Sequence, residues 1–180
     1  WFQTIAPNNP LTIVSGTSLS SQNFGNVFRV ECSLIEKWNM VSNPLQPAKR
    51  KIILFPDASS PAFKFYGGYV PSESLFVGTG YWLKFPSADT IEIFGTEVTS
   101  DTIDVQADWN LIGSLSSAIP VTCVEPIGTT VLSNYFEYET GYVASEMIEP
   151  CKAYWVKISS SGKLVLRSNC VRAKTILHKK

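Results

Sequence analysis

The 180-residue sequence predicts an all-β fold, and three observations carry that expectation. Apolar and polar residues alternate along most of the chain, turn-forming residues punctuate the alternating runs, and one aromatic pattern occurs twice. Side chains on a strand point to opposite faces in turn, so a period of two marks a strand with one buried face. No stretch carries an apolar stripe at helical spacing.

Residues 1–27 stand outside both copies of the pattern. Trp1-Phe2-Gln3-Thr4 and Leu11-Thr12-Ile13-Val14 read as an extended N-terminal strand, followed by Asn23-Phe24-Gly25-Asn26. A strand lacking its own sheet leaves N–H and C=O groups unpaired, which favours addition to an exposed edge elsewhere. Thr4, Leu11 and Ile13 are therefore candidate subunit contacts. Folding back onto the chain's own body is the competing arrangement.

The first unit is expected over residues 28–99. Phe28, Val30, Cys32 and Leu34 alternate with Arg29, Glu31 and Ser33, and Trp38-Asn39-Met40-Val41-Ser42 forms the opening strand before a turn at Asn43-Pro44. A second strand leads to an aromatic hairpin, Phe63-Lys64-Phe65 turning at Gly67-Gly68 into Tyr69-Val70. Gly80-Tyr81-Trp82-Leu83-Lys84 and Thr90-Ile91-Glu92-Ile93-Phe94 complete the unit.

The second unit is expected over residues 100–171. Ile103, Val105, Ala107, Trp109 and Leu111 alternate with polar residues as one continuous strand. Trp109-Asn110-Leu111-Ile112 stands 71 residues after Trp38-Asn39-Met40-Val41 (38 to 109). Phe136-Glu137-Tyr138 with Gly141-Tyr142-Val143, and Ala153-Tyr154-Trp155-Val156-Lys157, stand 73 residues after their counterparts (82 to 155). Lys163-Leu164-Val165-Leu166 closes the copy. Three blocks in order at nearly constant offset establish a duplication. A unit of this size buries little surface alone, so the two are expected to pack together as a pseudo-twofold sandwich or compact barrel. Residues 172–180 form a basic tail.

Composition narrows the function. The 15 basic and 15 acidic residues cancel, and the basic ones are scattered apart from Lys174, His178, Lys179 and Lys180. Nucleic acid requires a basic stripe and an anionic membrane a polybasic cluster, so neither partner is expected. No apolar run approaches the roughly 18 residues of a membrane span. Cys32, Cys123, Cys151 and Cys170 contain no CxxC pair, and His178 is the single histidine. Two disulfides formed in an oxidising compartment fit better than zinc, with four buried thiols as the alternative. Four cysteines allow three pairings. An extracellular or cell-surface location follows as the expectation, and the start at Trp1 reads as a piece of a longer precursor.

No catalytic residue, metal site or cofactor is expected. His178 lies in a charged tail, and Asp101, Asp104 and Asp108 read as a solvated strand face. No G-x-S-x-G, HExxH or P-loop pattern occurs. The aromatic residues carry the open question. Tyr66, Tyr69, Trp82, Tyr138, Tyr142 and Trp155 stand in the duplicated blocks. Trp82 and Trp155 share strand parity with Lys84 and Lys157, which points them away from each unit's main core. With Tyr69 and Tyr142 they are candidate residues for a glycan platform or a subunit contact. Covering by the other copy or by an adjoining loop is the reading favoured for the two tryptophans.

From Glu36 to Val165 the chain resembles a tandem module near the C-terminus of large secreted proteins of Gram-negative bacteria, many of them type IX-secreted. The signature is Trp-Asn-Met/Leu-Val/Ile, an aromatic hairpin with Gly-Tyr, then Gly-Tyr-Trp-Leu-Lys and Ala-Tyr-Trp-Val-Lys. The N-terminal segment resembles the closing strand of an SdrD-type B repeat, an immunoglobulin- or transthyretin-like domain of bacterial surface proteins. The resemblance implies an extracellular, non-catalytic structural or interaction module, self-associating or contacting neighbouring domains, with glycan binding as the alternative. Within the duplication, Cys123 and Cys151 fall opposite Ile52 and Gly78 of the first copy. A Cys123–Cys151 bridge within the second unit and a Cys32–Cys170 bridge across the tandem are the expected pairs, the latter contributing about 4–5 kcal/mol in the chain-entropy model.

Overall fold

A computed structural model describes residues 27–170. Thr4, Leu11, Ile13, the expected N-terminal strand and the basic tail lie outside these residues.

The first repeat runs β1 (Phe28–Leu34), β2 (Lys37–Ser42), β3 (Leu45–Gln46), β4 (Lys49–Arg50) and a one-turn helix α1 (Lys51–Leu54). It continues through β5 (Ala62–Phe65), β6 (Tyr69–Ser72), β7 (Ser74–Leu75), β8 (Gly80–Phe85) and β9 (Asp89–Glu97). The second repeat runs β10 (Ser100–Val105), β11 (Asp108–Ile112), β12 (Ile119–Pro120) and β13 (Val124–Ile127). Then come β14 (Tyr135–Tyr138), β15 (Tyr142–Ser145), β16 (Met147–Ile148), β17 (Tyr154–Ile158) and β18 (Gly162–Arg167). The fold is all-β, and every strand pairing among these residues is antiparallel.

Each repeat has two layers. A four-stranded sheet, β2-β8-β5-β6 or β11-β17-β14-β15, faces a three-stranded sheet, β1-β9-β3 or β10-β18-β13. Val30, Cys32, Leu34 and Ile93 of one layer pack with Val41, Tyr81, Leu83 and Phe85 of the other to form the first core. Val105, Leu164 and Leu166 pack with Ile112, Tyr154, Val156 and Ile158 to form the second. The layering thus arises inside each unit rather than between units. A third core, Met40, Trp82, Leu111, Ala153 and Trp155, joins the outer faces of the two four-stranded sheets. That is why β8 and β17 are buried on both faces.

The continuous run expected from Ile103 to Leu111 is broken. β10 ends at Val105, β11 begins at Asp108, and Asp108 adopts φ 77°. The first repeat turns the same corner at Lys37, with φ 76°. The motif's asparagine holds it. Asn39 accepts the Ile35 N–H at 2.9 Å and donates to Ile35 O and Lys37 O. Asn110 does the same with Gln106 N–H, Gln106 O and Asp108 O. A left-handed non-glycine residue costs of order 1 kcal/mol, and three side-chain hydrogen bonds offset it.

Matching contacts join the repeats. Ser42 N–H donates to Cys151 O at 2.7 Å, and Gly113 N–H donates to Gly78 O at 2.8 Å. Val41 bridges to Lys152 and Ile112 to Thr79. Each pair maps onto the other by the duplication offsets, so the joint is pseudo-twofold. The repeats diverge at the third strand of the small sheet, which is β3 in one and β13 in the other.

The disulfide pairing corrects the expectation. Cys32 bonds to Cys151, and Cys123 bonds to Cys170, with Cα separations of 5.5 and 5.6 Å. The loop carrying Cys151 docks across the joint, and the Cys151 side chain lies in the first repeat's core beside Cys32. A position that reads as internal to the second copy therefore belongs spatially to the first. Cys123–Cys170 ties the start of β13 to the exit from β18, closing the second repeat. In the chain-entropy model each bridge contributes about 4–5 kcal/mol. No helix among the described residues is long and apolar enough to cross a membrane.

Candidate functional site

The most distinctive surface is aromatic and follows from the joint between the repeats. β8 sends Tyr81 and Leu83 into its own core and Trp82 to the opposite face, and β17 does the same with Tyr154, Val156 and Trp155. The aromatic hairpin of each repeat then covers the other repeat's tryptophan. Phe65 meets Trp155 edge-on at 4.8 Å between ring centroids, and Tyr138 meets Trp82 at 4.9 Å. Such pairs contribute about 0.5–1.5 kcal/mol beyond their area.

Trp82 and Trp155 are each 8% exposed, so neither is an open platform. Of the two coverings anticipated for them, by the other copy or by an adjoining loop, the structure contains the first. Tyr69 and Tyr142 remain open to solvent, at 56% and 58%. The sequence reading missed Trp38 and Trp109, each 39% exposed and standing edge-on to Trp82 and Trp155. Their signal was available: both open the duplicated Trp-Asn motif. Reading Ile103–Leu111 as one strand, however, assigned Trp109 to a buried face.

Two clefts result. One, of about 470 Å³, is walled by Trp38, Phe63, Tyr69, Trp82, Tyr138 and Tyr142. The other, of about 400 Å³, is walled by Trp109, Phe136, Tyr142, Trp155 and Phe65. Trp38, Phe63, Trp82 and Tyr138 correspond to Trp109, Phe136, Trp155 and Phe65 under the duplication. The clefts are thus pseudo-twofold mates that meet at Tyr142.

Their side-chain polar groups are few. Burial raises the Tyr142 phenol above its usual range, the Tyr69 hydroxyl adds to this, and the Trp155 indole N–H opposes it by hydrogen bonding. Trp82 Nε1 is the one buried side-chain polar atom without a partner among the described residues. Lys157 stands 5.9 Å from the Trp109 ring centroid, within cation–π range, and 3.3 Å from Asp108. A third hollow beside the second cleft adds Tyr66, Gln106, Asp108 and Asn110.

The three aspartates do not converge. Asp104 pairs with Lys163 at 2.6 Å and Asp108 with Lys157. Asp101 is half-buried, and desolvation raises its pKa against a hydrogen bond from Thr102 N–H. The other shifted phenols are structural. Tyr81 and Tyr154 are fully buried, and their hydroxyls accept Phe76 N–H at 3.0 Å and Glu149 N–H at 2.9 Å. Burial pushes Tyr154 up to about 12. Among the described residues no group of three or more His, Cys, Asp or Glu is placed to hold a metal ion. No family model, curated protein or solved structure matches this chain.

Proposed function

We propose that this chain is a non-catalytic interaction module of an extracellular or cell-surface protein or filament, associating through its aromatic face and its free strand edges. The paired aromatic clefts carry the reading. Aromatic residues dominate contact energetics at protein interfaces, and here they line open clefts on a body held by two disulfides. The two disulfides fit an oxidising compartment. The resemblance to tandem modules of secreted bacterial surface proteins agrees with that location.

The free edges support it further. Among the described residues β6 and β15 end their four-stranded sheets, and both are largely exposed. An unpaired edge is a template for another strand. Sedimentation velocity over a wide concentration range tests the reading. Reversible self-association that weakens when Tyr69 and Tyr142 become serine is expected. A single monomeric species at every concentration would sink self-association.

Glycan binding is the second reading, and one observation favours it. Trp109 is a half-exposed indole beside Gln106 and Asp108. Saturable quenching of tryptophan fluorescence by cello- or chito-oligosaccharides, lost in Trp109→Ala, is its expected signature.

A further inference from the structure

We infer that β15 pairs antiparallel with the β15 of a second copy, so that the chain forms a closed twofold dimer. The inference rests on the reading of the free edges as contact surfaces, and it names the edge, the register and the partner.

The hydrogen-bond pattern of the hairpin fixes which backbone groups are on offer. At the β14–β15 turn, Glu139 N–H donates to Gly141 O at 3.2 Å. Hydrogen-bonded and non-hydrogen-bonded pairs alternate along an antiparallel ladder. Glu137–Val143 is therefore a hydrogen-bonded pair, whereas Tyr138–Tyr142 and Phe136–Ala144 are not. The N–H and C=O groups of Tyr142 and Ala144 point out of the sheet edge, and among the described residues no strand takes them.

The counterpart edge is closed. β6 repeats the pattern, with Tyr66 N–H donating to Gly68 O, and its outward positions are Tyr69 and Pro71. Proline has no N–H, and a proline on an edge strand blocks pairing. β15 carries neither a proline nor a charged residue, and its Tyr142 and Val143 are 58% and 51% exposed. The duplication thus leaves one edge open and shuts its mate.

The open edge is complementary to itself, which selects a second copy as its occupant. Turned about an axis through Val143, two β15 strands set Tyr142 of each opposite Ala144 of the other. Every outward N–H then meets an outward C=O. A shift of two residues either way carries half of these groups beyond the partner strand. Val143 meets Val143 across the axis on one face, and each Tyr142 covers an Ala144 on the other, so exposed apolar side chains are buried on both. The interface is isologous and closes at two subunits.

Cysteine cross-linking and sedimentation equilibrium of the full 180-residue chain test this. Val143 opposite itself would be a non-hydrogen-bonded pair, with Cα atoms about 4.5 Å apart and within disulfide range. Val143→Cys should therefore give a covalent dimer on mild oxidation. Val70→Cys, at the matching position of β6, should stay largely monomeric on non-reducing gels. Ala144→Pro should weaken dimerisation about thirtyfold, the loss of one hydrogen bond from each copy, with the circular dichroism of wild type. Ala144→Ser, which keeps the N–H, should dimerise normally. If Ala144→Pro fails to fold, the cross-link decides alone. Self-association that survives Ala144→Pro, with no more cross-linking from Val143→Cys than from Val70→Cys, overturns the inference and leaves the contact-surface reading standing. Species that grow beyond a dimer with concentration also overturn it. A monomer at every concentration overturns it together with self-association.

Discussion

Each residue of the duplicated motifs has a distinct physical task. Asparagine fastens the corner between the first two long strands. Asn39 is 7% exposed, so Asn39→Ala strands the Ile35 N–H and C=O and should cost about 1–3 kcal/mol in urea unfolding. Asn110→Ala should cost less, because its partners are more exposed. Tyrosine fills each core and holds the preceding turn with its hydroxyl. Gly80 differs from its counterpart Ala153 because the strands approach closely there. A Cβ on Gly80 would lie 2.7 Å from Ile112 O and 2.8 Å from the Ala153 Cβ. Gly80→Ala should therefore lower the melting temperature, and adding Ala153→Gly should relieve part of the loss. Asp101 carries a pH effect. Its folded-state pKa is raised by burial, so the ionised form burdens the fold at neutral pH and the burden lifts as pH falls through that value. Asp101→Asn should stabilise the protein at pH 7, and the difference from wild type should shrink on acidification. A difference that grows at low pH would reverse the assignment.

Strand identity was legible where one face is buried and the other wet, because alternation is the direct imprint of that state. Phe28–Leu34 and the Tyr-Trp strands were read from it, and the aromatic hairpins from the duplicated motif. The corner at Gln106–Asp108 left no such imprint. Alternation continues through it by coincidence, and the deciding group is the Asn110 side-chain amide, two and four residues from the groups it bonds. β8 and β17 alternate in type, Trp and Lys against Tyr and Leu or Val, yet are buried on both faces by the other repeat. Hence the buried tryptophans were anticipated only as one of two readings, and the half-exposed Trp38 and Trp109 were not singled out. The edges show what duplication leaves free to vary. Pro71 lies opposite Phe63 in β6, and Ala144 lies opposite Phe136 in β15, in matching register. Proline has no N–H to donate, so at this position the backbone faces away from the partner strand. β15 therefore offers an edge donor that β6 lacks. Ala144→Pro should leave stability within about 0.5 kcal/mol while weakening self-association, read by thermal unfolding and sedimentation. Loss of fold in this variant would refute the matched register.

At the scale of the molecule, the two repeats share structure that neither contains alone. The first core includes Cys151 of the second repeat, while Val77 and Val98 of the first pack into or against the second core. The sequence reading paired cysteines by position within the copies, whereas the joint decides the pairing. The same symmetry makes a strong prediction. Cys32 and Cys151 correspond to Ile103 and Gly78, and Cys151 and Gly78 share left-handed φ values of 68° and 73°. A Cβ built on Gly78 would stand 3.0 Å from Ile103 Cγ1, with the Asp101 carboxylate intruding. Gly78→Cys with Ile103→Cys, on an Asp101→Ala background to clear the space, should form a third bridge at the mirrored site. Closing this shorter loop should contribute about 3.5 kcal/mol at most in the chain-entropy model. Maleimide labelling of the oxidised, urea-unfolded variant should find no free thiol. Two reactive thiols beside the intact native bridges would mean that the two contacts across the joint are not equivalent, and that Cys32–Cys151 fixes a geometry found on one side alone.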